Sequence, residues 1–296
     1  MRWPRMRRML QRILFGLTVV AIVVISLAPF VWQVISSITT DRELLARPPH
    51  WLPEEPTLDR YRALILGEAY PGISPALLRS AANFRGAFVN SLTVAPLTTL
   101  ASLVLGTLAA YALTRLRFPG RQGLFFGILA ARMLPPISLV IPLYLAMRAL
   151  GLMDTRLGLG LVYLSLTLPL VVWIMSAYFR SIPWEIEEAA MIDGCSPLGA
   201  LVRVILPLSA PGLVAAGVVT LLFAWNEFFF SLIFTQTLAS KTLPKAISEF
   251  STELGAGLDY GLVTAGGVLT SLPPIAIALF FQRYLVRGLV GGATKG

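Results

Sequence analysis

The sequence is poor in the residues that catalysis and aqueous solubility need. It has one cysteine, Cys195, so no intrachain disulfide is possible, and one histidine, His50, in another region. No Cys–His pair, Ser–His pair or metal-ligand cluster is visible. Cys195 lies between Gly194 and Ser196-Pro197 and reads as a small filler in a turn. Charged residues make up only 13% of the chain, against about 25% in soluble domains. With 56% hydrophobic residues and a mean hydropathy of +0.76, the natural solvent is lipid. No Gly-x-x-x-x-Gly-Lys-Ser/Thr phosphate loop occurs, and Gly158-Leu-Gly160 lacks the third glycine and the strand–turn–helix setting of a nucleotide loop. There is no internal repeat.

What charge there is lies mostly at the ends of apolar runs. The net charge of +9 reads as arginines at cytoplasmic helix ends rather than a nucleic-acid surface. Arg2, Arg5, Arg7, Arg8 and Arg12 precede an apolar run from Ile13 to Ser36. That run is too long for a signal-peptide core and no small-x-small site ends it, so it reads as an uncleaved first span. A crossing needs about 20 apolar residues. Five more segments qualify: 86–113, 123–147, 157–179, 210–234 and 260–282. The expectation is an all-α polytopic membrane protein with six transmembrane helices over residues 13–283. A cytoplasmic arm (1–12) and a cytoplasmic tail (284–296) flank it. Segments 37–85, 148–156 and 235–259 then lie outside, the first as a Pro- and aromatic-rich cap. A short amphipathic helix is expected over 241–254. The arm carries five arginines and no acid, which places both termini inside.

The inside segment 180–208 has its own punctuation. Pro183 suits a first helical position and Glu185 complements the helix dipole. Gly194 is a helix stop. Ser196-Pro197 is a fresh N-cap with Pro at N1, and Pro207 ends the second piece. Two short helices with a sharp turn result, too polar to cross a membrane. Ala189-Ala190 offers a surface of little bulk for another backbone, ringed by Glu185, Glu187, Glu188 and Asp193. On these grounds alone the hairpin is either a docking element or a solvated joint between spans.

The pattern Glu188-Ala189-Ala190, Asp193-Gly194 and Ile205-Leu206-Pro207 resembles the EAA loop of ABC-importer permeases. More of the chain is similar to the carbohydrate branch, in particular the smaller permease of maltose/trehalose-type systems. The similarity lies in Asn90-Ser-Leu, Ala110-Tyr111-Ala112 with Arg115-Leu-Arg117-Phe-Pro-Gly, Ile141-Pro-Leu-Tyr, Trp225-Asn226-Glu227-Phe228 and the tail from Gln282 to Gly296. Cys195 departs from the family, where Ala is usual, and so do Gly291-Gly292.

The resemblance implies a coupling-helix loop at Glu188, Ala189, Ala190, Asp193, Gly194, Ile205 and Pro207. It also implies four kinds of partner: a second related permease, two ATP-binding subunits, an extracytoplasmic sugar-binding protein and the lipid bilayer of a bacterial inner membrane. No cofactor is expected on this chain; ATP and Mg belong to the separate ATPase. The tail, with Gly288, Gly291, Gly292 and Lys295, is expected as a flexible basic strand reaching between the ATPase subunits. Arg132 and Glu227, charges inside spans, are costly in lipid. With Trp225 and Asn226 they are candidates for the pathway or for the partner contact, structural roles standing beside them. Prolines within spans are expected to break helices where a cavity is lined. The function expected is permeation of a maltose- or trehalose-like glucoside. The rivals are an ABC permease for another solute such as a glycerol phosphate, and a self-sufficient secondary transporter, for which one intramembrane acid and no repeat argue poorly.

Overall fold

The computed structural model describes residues 3–48, 50–250 and 260–293, with backbone alone for 3–8 and 284–293. Among these residues the chain is helical and without strands. The helices are α1 (Trp3–Ile38), α2 (Asp41–Leu44), α3 (Asp59–Leu66), α4 (Pro75–Arg115), α5 (Arg121–Ala131), α6 (Pro136–Ala149) and α7 (Arg156–Ser181). They continue as α8 (Trp184–Ile192), α9 (Pro197–Ala200), a π-helical turn (Leu201–Ile205), α10 (Leu206–Leu208), α11 (Ala210–Asn226), α12 (Phe229–Phe234), α13 (Leu243–Glu249) and α14 (Tyr260–Ala293).

Among the described residues four helices are long and apolar enough to cross a membrane, or up to six if each bent pair counts as one span. The third expected span is not one rod. It breaks between α5 and α6, which bend by 101°. Pro135 is the reason: it takes ψ 132 at the N-cap of α6, as a residue before proline is driven to do. The other span prolines do not break their helices: Pro96, Pro142, Pro169, Pro273 and Pro274 all stay inside continuous ones. The fifth span is also interrupted. The limb Pro197–Leu208 meets α11 at 80°, and α11 ends at Asn226 because Glu227 turns extended, with ψ 119. Its 17 residues cover only about 25 Å at 1.5 Å per residue, short of a full crossing, and α12 follows the break.

Other boundaries also move. The arm expected at 1–12 is helical from Trp3 as part of α1. The tail expected as a strand continues α14 through Ala293, which places Gly288, Gly291 and Gly292 on helical backbone, while Lys295 lies outside the described residues. The amphipathic helix expected at 241–254 is α13, over Leu243–Glu249; residues 251–254 lie outside the description.

The chain divides into two compact units. The first holds residues 1–84 and 247–269. Its segment between α1 and α4 is ordered by Arg60, which is buried, donates to the Thr39 carbonyl and pairs with Asp41 at 2.6 Å. Ser37 and Tyr61 share a hydroxyl–hydroxyl bond of 2.6 Å. The second unit holds residues 85–246 and 270–296. Its core joins Ala110, Tyr111, Val171, Met175, Phe179, Leu201, Ile205 and Ala216. Here α4 lies close against α7: a Cβ on Gly106 would meet Val171 at 2.7 Å. One turn away Ser102 and Thr167 bond at 2.6 Å, the small-residue and hydroxyl contacts that hold helices together in lipid.

Candidate functional site

The hairpin between α7 and α11 forms as its punctuation dictates, with a one-residue shift at each end. Pro183 is the N-cap of α8, not its first helical residue, because its ψ of 140 leaves the helix to start at Trp184. Glu185 and Glu187 occupy the first turn, where negative charge offsets the helix dipole. At the other end the Gly194 N–H donates to the Met191 carbonyl at 3.0 Å and the Cys195 N–H to the Ala190 carbonyl at 3.0 Å. Gly194 holds φ +90 with open space around it, a conformation that only glycine takes without cost. Ser196 Oγ then accepts the Gly199 N–H at 3.1 Å, and Pro197 opens α9. Helical backbone runs from Pro197 through the π turn to Leu208, so the second limb stops one residue past Pro207. The π turn widens the backbone just ahead of Pro207, whose ring would otherwise strike the carbonyl of Arg203.

The expected loop residues split by face. Glu188, Ala189, Asp193, Gly194 and Pro207 are exposed, as are Glu185, Met191, Ile192 and Leu198. Ala190 and Ile205 instead face inward, Ala190 at 7% exposure and Ile205 at 0% in the core with Met175 and Phe179. The hairpin therefore presents an apolar tip, with Ile192 at 85% exposure, beside three acids, Glu185, Glu188 and Asp193.

Glu187 behaves differently from its neighbours. It is 1% exposed and accepts a hydrogen bond from the Tyr111 hydroxyl at 2.5 Å. Arg115 Nε lies 3.4 Å from its other oxygen. The Arg115 guanidinium also donates to the carbonyls of Phe179 and, at 2.8 Å, Ile182, and stands 5.2 Å over the Trp184 ring. Sequence reasoning quoted Tyr111 and Arg115 without giving them a role and set Glu187 among the acids ringing Ala189-Ala190, whereas it is buried. The available signal was spacing: Tyr111 and Arg115 are four apart on one helix face, as Glu187 and Ala190 are three apart.

Of the four pathway candidates, Arg132 lines a cavity. It is exposed at the α5–α6 break, beside a space of about 280 Å³ lined also by Leu143, Ser165, Pro169 and Phe223. Trp225 is 2% exposed and donates from Nε1 to the Thr270 carbonyl at 3.2 Å. Asn226 is exposed and bonds back to the Leu222 carbonyl at 2.8 Å. Glu227 caps α12, accepting the N–H groups of Phe230 at 2.8 Å and Ser231 at 3.1 Å. Among the described residues no ion pair joins Arg132 to Glu227.

Two further polar clusters shape the loops of the second unit. Asn90, fully buried, donates to the carbonyls of Leu238 at 2.9 Å and Lys241 at 2.7 Å. Asp154 accepts from the N–H groups of Gln236 and Thr237 at 2.7 and 3.0 Å and from the hydroxyls of Ser240 and Thr237 at 2.6 and 2.7 Å. Burial alone would raise its carboxyl, but these donors outweigh that and hold it well below the usual carboxylate range.

Comparison with known proteins agrees with this architecture. Residues 102–291 match the family model described as the binding-protein-dependent transport system inner membrane component. The trehalose transport permease SugB of Mycobacterium tuberculosis is 39% identical over 271 residues, covering 92% of this chain and 93% of that one. The trehalose/maltose permease MalG of Thermococcus litoralis is 36% identical, covering 97% and 98%. The diacetylchitobiose permease DasC of Streptomyces coelicolor is 30% identical, covering 97% and 100%. A chain in the crystal structure of a bacterial ABC transporter that imports alginate shares the fold with TM-score 0.75 at 22% identity, covering 96% and 98%. The expected resemblance thus holds along nearly the whole chain, and the protein belongs to the family of binding-protein-dependent transport system inner membrane components, the permeases of ABC importers.

Proposed function

We propose that this chain is one of two related permeases in an ATP-driven importer of a maltose- or trehalose-like glucoside, forming half of the pathway. The relatives named for trehalose, maltose and diacetylchitobiose support the substrate class. Both termini lie in the cytoplasm. A binding protein delivers sugar from outside. ATP and Mg are bound by two separate ATPase subunits, and no cofactor by this chain. The observation that carries the coupling role is the hairpin face of Glu188 and Ala189, exposed beside Asp193 and an apolar tip and fixed by the Gly194 turn. An acidic rim around a nearly bare backbone fits a basic groove on an ATPase. Arg132, at the broken third span, is the pathway residue this reading favours.

The test is Glu188→Lys in the complete complex in nanodiscs. Loss of one partner of a buried interfacial charge pair costs about 2–5 kcal/mol. Assembly or sugar-stimulated ATPase should therefore fall by tenfold to several-thousandfold, at about 1.4 kcal/mol per decade, and Glu188→Ala should fall less. Normal ATPase together with normal uptake would reduce the hairpin to a linker. The same assay applied to a chain truncated after Val290 tests the tail: contact with the ATPase pair predicts altered ATPase with assembly retained, and unchanged ATPase removes the tail from the interface.

A further inference from the structure

Three glutamates lie along the first half of α8, and the innermost is sealed from water. Glu187 is 1% exposed, and the two residues that meet it, Tyr111 and Arg115, are 5% exposed. All three sit where α4, α7 and α8 converge. A buried ion pair is a poor device for stability alone, since well-packed apolar side chains of similar volume often hold as firmly. What this cluster adds over apolar packing is direction. The hydroxyl–carboxylate bond of 2.5 Å sets the rotation of α8 about its own axis. With Glu187 turned inward, Glu188 lies about 100° round the helix, on the exposed face. Arg115 meanwhile reaches the carboxylate and the two carbonyls at the end of α7, so one guanidinium ties three helices. Its own helix, α4, has 41 residues, and the cluster sits in the last two turns.

We infer that Glu187, Tyr111 and Arg115 form a positioning node that locks the hairpin to the end of α4, so that displacement of the hairpin passes directly into that long helix. The node adds a second route to the backbone joints on either side of the hairpin, residues 181–184 and 208–210. The inference rests on the reading of the hairpin as the coupling element, and it assigns the internal half of that device. The Glu188 face receives the motion and the Glu187 face hands it on.

The test uses the complete complex in nanodiscs with Cys195→Ser, spin labels at the exposed positions Arg117 and Leu198, and the variants Tyr111→Phe, Glu187→Gln and their double. In the parent protein the label-to-label distance should be a single narrow population, both without nucleotide and with ATP bound. In each variant the distribution should widen at least about twofold. Sugar moved per ATP hydrolysed should fall about tenfold, the scale of one lost hydrogen bond to a charged group. ATPase subunits should still co-purify in parental amounts. Tyr111→Phe removes the hydroxyl's contacts with the Glu187 carboxylate and the Pro197 carbonyl, whereas Glu187→Gln removes the charge that Arg115 meets, so the double variant should lose at least as much as the worse single. Tyr111→Phe carries the test by itself if Glu187→Gln does not assemble, since it keeps the ring packed edge-on against Phe179 at 6.2 Å. An unchanged distance distribution overturns the inference. So does a loss of assembled complex in Tyr111→Phe, or full transport per ATP despite a widened distribution. A normal Glu188→Lys complex alongside widened distances in the node variants would sink the docking reading while leaving the anchor in place.

Discussion

Gly158 and Gly160 form a pair whose substitution by alanine should have opposite outcomes. Residues 150–155 fold back over the start of α7: the Leu152 N–H donates to the Met147 carbonyl at 2.9 Å. The Thr155 hydroxyl donates to the Leu152 carbonyl at 2.8 Å and accepts the Gly158 N–H at 3.0 Å. A Cβ on Gly158 would stand 2.1 Å from the Leu152 carbonyl oxygen. An ordinary carbon–oxygen contact is about 3.3 Å, so backbone has to retreat by about 1.2 Å, and no rotamer change relieves it. Overpacking costs about 1–3 kcal/mol and loss of the Thr155 cap about 0.5–2 kcal/mol. Alanine returns about 0.5–1 kcal/mol over glycine in a helix. The net loss is about 2.5 kcal/mol in mid-range, a fall in Tm of about 5–10 °C at 2–4 °C per kcal/mol. Gly160→Ala meets only Thr98 Oγ1, at 3.4 Å, and should leave Tm unchanged or raise it by a few degrees, since only the helix gain of about 0.5–1 kcal/mol applies. Thermal unfolding of the purified complex measures both. A Gly158→Ala protein as stable as its parent, or a Gly160→Ala protein that falls as far, would refute this account of the corner.

Other outcomes follow from the loops and from charge placement. Asp154→Asn should speed amide exchange in residues 236–240 by about tenfold, the scale of one lost charge-assisted hydrogen bond. Because the folded Asp154 carboxyl titrates below its ordinary value, its contribution is full above that ordinary value, declines as pH falls from there, and is gone once pH has fallen through the depressed one. Exchange in the parent protein should therefore be insensitive to this group from neutral pH down to the ordinary carboxylate value and should loosen progressively below it; loosening that begins well above that value would contradict the clamp. Single cysteines replacing Glu55 and Arg117 in a Cys195→Ser background should label from opposite sides of the membrane; labelling of both from outside would reverse the topology.

Most of the secondary structure was legible because its signals are local. The stop at Gly194 and the restart at Ser196-Pro197 follow from backbone chemistry, and both appear with the expected φ and cap bond. The long apolar runs gave the spans. Pro135 and Pro136 stood among the span prolines expected to break a helix at a cavity, but nothing local set them apart from the prolines that do not, and hydropathy is blind to the 101° bend within residues 123–147. The loop pattern drew attention to Glu188, whereas Glu187 gained significance only when α4 was laid beside α8, a contact 76 residues apart in sequence. Glu227 looked like a pathway charge because an acid in a span is rare. In the structure it accepts N–H groups three and four residues on, a capping contact that stands beside either role. Side-chain chemistry can be read from sequence at short range, but which face a residue presents to distant helices cannot.

The central claim is that this chain forms half of the membrane path of an ATP-driven sugar importer, and its most direct test is uptake into proteoliposomes. The chain is reconstituted with its partner permease, ATPase subunits and binding protein, with ATP inside and labelled trehalose or maltose outside. The account predicts accumulation of sugar against its gradient that requires ATP, the binding protein and this chain together. Uptake that persists without ATP, driven by a proton or sodium gradient, or the absence of sugar uptake with every component present, would contradict it.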